Sequence, residues 1–217
     1  MFKNKKLFFI QMENRPKINI IAALTENNVI GKDNDMPWDI PGDLERFREL
    51  TSYKPVIMGK NTYLSLPVVN LPKRKNIVIS KSLEKELDPY DRNTDKKIVP
   101  GGKFVSLKQN IETKKKAGIY VTDSLENSLE IAKTKKPNSK IDNSEAYIMG
   151  GNKVYESFLS KADKLELTLI HSEKQGDTYF PKINAREWKE VSRKGPFQDK
   201  EGTGEKHSFV SYEKKIN

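Results

Sequence analysis

The sequence predicts an α/β fold: a mainly parallel sheet with flanking helices and an antiparallel edge at its C-terminal end. Three observations predict it. Short apolar runs alternate with helical patterns between Ile18 and Ile170. Two of those runs end in glycine turns that open helices, "VIMGKNTY" and "YIMGGNKVY". The last two segments, "WKEVSRKG" and "HSFVSYEKKI", alternate apolar with polar residues like a closing antiparallel pair.

Each element follows in order. "INIIAAL", residues 18–24, is apolar at nearly every position, which fits a strand buried on both faces. "TENNVIGKDNDMPW" is polar and turn-rich, so it reads as a long loop, and long loops inside domains are usually functional. A helix follows from Asp43 to Thr51. Val56 to Met58 is a short buried strand, then Gly59 opens a helix. Asn76 to Ile79, in "RKNIVIS", is another strand. Residues 83–117 break this rhythm: they are charged and punctuated by Pro89, Pro100, Gly101 and Gly102. They read as a polar excursion outside the core, with a hairpin around "KIVPGGKFVSL". "GIYVT" is a strand and "SLENSLEIAK" a helix with Ser124 as its N-cap. "EAYIMGGNKVYESFL" is strand, turn and helix, and "KLELTLIHS" is a strand. Residues 1–17 read as a flexible N-terminal extension, and 18–217 as one domain carrying the excursion.

Composition narrows the function. No apolar run approaches the roughly 20 residues that span a bilayer. "LFFI" after "MFKNKK" is too short for a signal-peptide core, and no small-residue cleavage site follows. A weak transit signal and a disordered tail, with Met12 as a second start, are the two alternatives. The 217 residues contain no cysteine, which removes disulfides, thiolate catalysis and cysteine-bound zinc. With only His171 and His207, a histidine-based triad or metal cluster is not expected. A reducing cytoplasm fits this composition. The net charge of +10 would suit nucleic acid or an anionic cofactor, but no aromatic residues interleave with the lysine clusters as a stacking platform requires. A solvated lysine-rich surface is the plainer account, and neither nucleic acid nor membrane is expected as a partner.

Asp43 raises the chemical question. On the helical wheel it shares a face with Phe47 and Leu50, while Glu45, Arg46, Arg48 and Glu49 fall mostly elsewhere. A lone carboxylate on an apolar stripe is costly unless something pairs with it. Either it caps the helix, or it awaits a ligand at the carboxyl ends of the strands, where open α/β sheets bind ligands. A carboxylate there can hold a flat, amidine-like heterocycle through two hydrogen bonds. The turns at Gly150–Gly151 and Gly59, with the strand end "ISKS", let backbone N–H groups meet an anion at a helix start. Neither turn is a G-x-G-x-x-G fingerprint or a P-loop, and a plain tight turn is the more frequent alternative for each. Two such turns beside a basic strand end favour a dinucleotide over a single phosphate.

"INIIAAL", "VIGKDNDMPWDIPGDLERFR", "KPVIMGKNTY", "LPKRKNIVIS", "YIMGGNKVY" and "LTLI…GDTYFP" stand in the order and spacing of dihydrofolate reductase, and the chain resembles that family from Ile18 onward, apart from the excursion. The resemblance implies a sheet of eight strands, NADPH as hydride donor, 7,8-dihydrofolate as substrate, antifolates as inhibitors and a monomeric enzyme. It implies that Asp43 is the pterin-binding carboxylate, that Thr168 hydrogen-bonds it, that Trp38 orders a water near the pterin carbonyl, and that Met36 lies in a loop closing over the nicotinamide. Leu44 and Phe47 would pack on the substrate rings. Ile21 and Met149 would offer carbonyls to the pterin amine side, with Ala22, Leu71 and Tyr155 completing the pocket. Arg74 would pair with the glutamate α-carboxylate. Ala23, Ile30 and Gly31 would contact nicotinamide and ribose. Gly59, Lys60, Asn61 and Thr62, with Gly150, Gly151, Asn152, Lys153 and Val154, would hold the pyrophosphate, with Thr178 nearby. Ile79, Ser80 and Lys81 would also bind the cofactor, with Lys60, Ser80 and Lys81 converging on the 2′-phosphate. The chain departs from the pattern at Asn152, where a third glycine or another small residue is common, and in the length of the excursion. The related pyrimidine reductase of riboflavin synthesis shares the fold, but Asp43 with Thr168 and Trp38 argues against it.

Overall fold

A run that is apolar on both faces belongs in the middle of a sheet, and β1 (Lys17–Thr25) lies there. The computed structural model describes residues 15–68, 70–86, 96–99, 103–106 and 119–215. In it, β1 pairs in parallel with β8 (Glu145–Ile148) on one side and β9 (Lys164–Ile170) on the other. Beyond β8 the parallel run continues through β3 (Pro55–Gly59), β4 (Lys75–Ile79) and β7 (Ile119–Thr122). Beyond β9 come β12 (Lys206–Lys214) and the edge strand β11 (Trp188–Gln198), both antiparallel. The order of the eight-stranded sheet is β11-β12-β9-β1-β8-β3-β4-β7, the expected class.

Successive strand side chains point to opposite faces, and the core divides accordingly. On one face Ile18, Ile20, Ala22 and Leu24 join Ile57, Ile77, Ile148, Leu165 and Leu167. Helices α4 (Leu125–Lys133) and α5 (Asn152–Leu159) cover them with Ala132, Val154, Tyr155 and Phe158. On the other face Ile21, Val56, Met58, Val78 and Tyr147 pack under α1 (Pro41–Thr51), α2 (Lys60–Ser65) and α3 (Lys81–Glu86). Phe47, Leu50, Tyr63 and Leu83 supply the helical side of that cluster. Ser124 caps α4 as expected, accepting from the Asn127 N–H at 3.0 Å.

Three expectations need correction. The stretch around "NNVIG" is not all loop: β2 (Val29–Gly31) pairs with β10 (Thr178–Tyr179), because fully buried Val29 finds its strand partner far away in sequence. Helix α1 starts at Pro41 rather than Asp43, since proline suits the first helical position. Strand β11 is the expected antiparallel edge, and beyond Trp188 every one of its residues is exposed. Leu83 belongs to the core, because α3 continues past the end of β4, capped where Ser80 Oγ accepts the Leu83 N–H at 2.9 Å.

Within the excursion, β5 (Lys96–Val99) and β6 (Lys103–Ser106) form an antiparallel pair where the hairpin was expected, as a separate two-stranded sheet. Its remaining residues after 86, and residues 1–14 of the expected extension, lie outside the described residues. Arg15 is fastened to the domain, donating to both carboxylate oxygens of Asp163 at 2.7 and 2.8 Å. Among the described residues no helix is long and apolar enough to cross a membrane.

Burial of Leu83 generates a stability prediction. Leu83→Ala should lower folding stability by about 2–3 kcal/mol, as buried leucine truncations typically do, seen as a lower urea midpoint. An unchanged midpoint would return residue 83 to the solvent-facing excursion.

Candidate active site

Helix α1 carries the central carboxylate, and two contacts from distant strands fix its first turn. Its N-cap residue, Ile40, has no side-chain acceptor to offer. The Gly42 N–H is accepted instead by Asp199 Oδ2 at 2.8 Å, from the turn joining β11 to β12. Asp43 is therefore released from capping. Its Oδ1 accepts from Thr168 Oγ1 at 2.5 Å, and Thr168 is fully buried on β9. Burial raises the Asp43 pKa above the ordinary carboxylate value; the Thr168 bond, Arg46 and His207 oppose the rise, and Asp199 adds to it. Part of the residue still meets solvent, while protein surrounds the rest.

Beside it the Tyr155 hydroxyl donates to the Ile21 carbonyl at 2.8 Å. Burial, then the nearby Asp43 charge, pushes the phenol far above its usual range, so it remains a donor. Met149, partly buried, follows β8 and donates its N–H to the Ile57 carbonyl at 2.9 Å. Ala22 faces the opposite core, so only its backbone can serve this site. Leu44 is 43% exposed and Met36 46%, apolar surface that a ligand could cover. Phe47 and Leu71 are partly buried against the α1-side core. Arg74 lies 5.4 Å from the Phe47 ring centre and donates to Thr51 Oγ1 at 2.7 Å and the Pro72 carbonyl at 2.8 Å. Trp38 is buried with Val29, Ile40 and Ile170, and its Nε1 has no hydrogen-bond partner among the described residues.

The two glycine turns meet at the carboxyl ends of β3 and β8. The Gly59 N–H donates to the Gly150 carbonyl at 2.7 Å. A Cβ on Gly59 would lie 3.1 Å from Val154 Cγ2, and one on Gly150 or Gly151 would lie 3.1 or 3.3 Å from Thr62 Oγ1. Gly150 has φ of +120°, a conformation that only glycine takes readily. The two turns thus form one cradle with the N-termini of α2 and α5, with Asn61 and Lys153 exposed on it. Asn152 fastens the cradle to β10, its side-chain N–H donating to the Tyr179 carbonyl at 2.8 Å. At the 2′-phosphate end as inferred from sequence, Lys60 Nζ donates to Ser82 Oγ at 2.8 Å and Lys81 is exposed. Half-buried Ile79 closes β4, but the Ser80 hydroxyl is engaged in capping α3. Gly31 and Thr178 are brought together by β2 and β10, next to half-buried Ile30 and Ala23, though Thr178 Oγ1 donates to Asp177 Oδ1 at 2.8 Å.

Sequence patterning missed Arg46, Glu166, Asp199 and His207. Arg46 does not point away to solvent: its guanidinium pairs with Glu166, and the two side chains are only 14% and 6% exposed. The signal was present in "LELTL", where Glu166 and Thr168 share the strand face that α1 covers.

A family model described as dihydrofolate reductase matches residues 17–98 and 93–214. The chain belongs to the dihydrofolate reductase family. It is 37% identical over 170 residues to the dihydrofolate reductase of Haemophilus influenzae, covering 78% of this chain and 82% of that one. Against that of Bacillus subtilis it is 31% identical over 198 residues, covering 91% and 95%. The solved structure of an Enterococcus faecalis dihydrofolate reductase complexed with NADP(H) and RAB-propyl has the same fold: TM-score 0.66, 23% identity, 92% of this chain and 97% of that one. The family match spans both Asp43 and Thr168 and both glycine turns.

A carboxylate whose pKa is raised in the folded state favours folding while protonated and costs stability once pH rises through the folded value. Asp43→Asn keeps an acceptor for Thr168 and removes that cost. The variant should melt at a higher temperature than the wild type at pH 7, and the difference should shrink as pH falls toward the ordinary aspartate value of 3.8. A lower melting temperature at pH 7 in calorimetry would show that ionised Asp43 is a net support of the fold.

Proposed function

We propose that this chain reduces 7,8-dihydrofolate to 5,6,7,8-tetrahydrofolate with NADPH, and that Asp43 holds the pterin. The observation that carries the assignment is the Asp43–Thr168 pair, a half-buried carboxylate oriented by a buried hydroxyl, on the helix that also carries exposed Leu44. Its free oxygen capacity matches a ring that presents two adjacent N–H donors. NADPH, when bound, supplies the hydride that reaches C6. The joined turns at Gly59 and Gly150–Gly151 fit a pyrophosphate, because side chains there would crowd Thr62 and Val154 and exclude close backbone approach.

The remaining roles follow from the same placement. The Ile21 carbonyl and Met149 line the amine side of the pterin, and Leu44 and Phe47 its faces. Arg74 takes the glutamate carboxylate, its guanidinium already steered by Thr51 and Phe47. The unpartnered Trp38 Nε1 suits a water delivered to the pterin carbonyl, from which N5 can be protonated. Met36, exposed above the cleft, limits solvent when its loop closes. The proposal includes a cytoplasmic, monomeric enzyme. It also includes antifolates of the diaminopyrimidine class, whose protonated rings would pair with Asp43.

Two measurements test this. NADPH absorbance should fall on addition of dihydrofolate, and Asp43→Asn should lose most turnover at pH 7 while binding NADPH normally. Acid should restore part of the rate, since pre-protonated substrate needs less help. Wild-type turnover by the variant at pH 7 would remove Asp43 from the mechanism.

Cofactor choice is tested at Lys60 and Lys81. Each charge-assisted hydrogen bond contributes about 1.5–3 kcal/mol before solvent screening. Replacing both by alanine should therefore cut the NADPH-to-NADH ratio of kcat/KM by about a hundredfold, mainly through weaker NADPH binding. An unchanged ratio would place the 2′-phosphate elsewhere.

A further inference from the structure

Behind the Asp43–Thr168 pair lies a second polar crosslink between the same two elements. Arg46, one helical turn from Asp43 on α1, pairs with Oε2 of Glu166, two residues before Thr168 on β9. The same oxygen accepts from Ser211 Oγ of β12 at 2.7 Å, and Lys164 Nζ stands 2.6 Å from the other. The Arg46 guanidinium lies 5.0 Å from the centre of the Phe209 ring, also on β12. Strands β9 and β12 are paired so that Phe209 stands opposite Thr168 and Ser211 opposite Glu166. The whole array therefore occupies the sheet face under α1.

Burying such an ion pair is a poor way to stabilise a fold, because desolvation consumes most of the attraction and apolar residues of similar volume would serve as well. The pair does something an apolar contact cannot. The bonds at Gly42 and Asp43 hold only the first turn of the helix; the Arg46–Glu166 pair one turn on fixes its rotation and its height above β9. The pair also sets a positive charge, partly neutralised by Glu166, beside the Asp43 carboxylate. We propose that Arg46, held by Phe209 and by a Glu166 that Ser211 fixes, is a positioning residue that sets the place and the charged surroundings of Asp43. This rests on the assignment of Asp43 as the substrate-holding carboxylate. The other charged or titratable groups facing Asp43 are His207 of β12, Asp199 of the β11–β12 turn and Tyr155 of α5. None of them bonds to the Arg46–Glu166 pair.

The test uses Arg46→Gln, Arg46→Lys, Glu166→Gln and the wild type. Asp43 is titrated by carboxyl carbon NMR, its signal identified by its loss in Asp43→Asn, and in parallel by the pH profile of kcat/KM with NADPH and dihydrofolate. Removing the arginine charge should raise the Asp43 midpoint by about half to one pH unit, a threefold to tenfold change in its ionisation constant. Glu166→Gln leaves that charge less neutralised and should lower the midpoint. Arg46→Lys keeps the charge and should titrate near the wild type. A purely structural role predicts that Lys and Gln at position 46 behave alike, because both lose the fork and the Phe209 contact. Equal midpoints in all four proteins, or shifts of the same sign in Arg46→Gln and Glu166→Gln, would overturn the proposal. Absence of any dihydrofolate-dependent NADPH oxidation by the wild type would refute the functional assignment, while the NMR titration would still decide the role of Arg46.

Discussion

The site depends on one constraint: α1 must lie across a face of β9 that is polar where it should be greasy. Glu166 and Thr168 alternate with Leu165 and Leu167, and both polar residues are buried. A buried polar face is tolerated only when every group finds a partner. Helix α1 brings those partners, Asp43 for Thr168 and Arg46 for Glu166. The helix cannot slide or turn without leaving charges unpaired in a desolvated place. That penalty places the carboxylate more sharply than packing of Phe47 and Leu50 alone could.

The remaining parts of the cleft are organised around that placement. Tyr155 reaches from α5 across the sheet end to the Ile21 carbonyl and sits next to the same Gly150 whose turn meets Gly59. The candidate substrate pocket and the candidate cofactor cradle therefore share atoms. A shift of α5 would disturb both, so the geometry couples the surroundings of Asp43 to the glycine-turn cradle. This is the condition for two ligands to meet at a single reactive distance.

Much of this was legible beforehand, for identifiable reasons. The strands of the main sheet follow from local apolar runs, their mainly parallel class from the helices between them, and the oddity of a carboxylate on an apolar stripe was visible at Asp43. What escaped was decided at long range. Val29 is a strand residue only because Thr178 and Tyr179 arrive beside it. Leu83 is a core residue only because α3 folds back over Val78 and Met58. Arg46 looked solvated because a helical wheel shows one helix and cannot show Glu166 beneath it. Asp199 capping α1 has no local signature at all, since cap and helix lie more than 150 residues apart.

That distant cap has a bearing on synthesis. Asp43 leaves the ribosome early, but Thr168, Glu166, Asp199 and Phe209 emerge near the end. Strand β9 needs β12 along one edge, and α1 lacks a cap until the turn before β12 has formed. Until then the nascent chain carries a carboxylate and an arginine on an unanchored helix, with nothing to hold either. Asp43 is thus set in place only after β12 has joined β9, long after its own helix has been made.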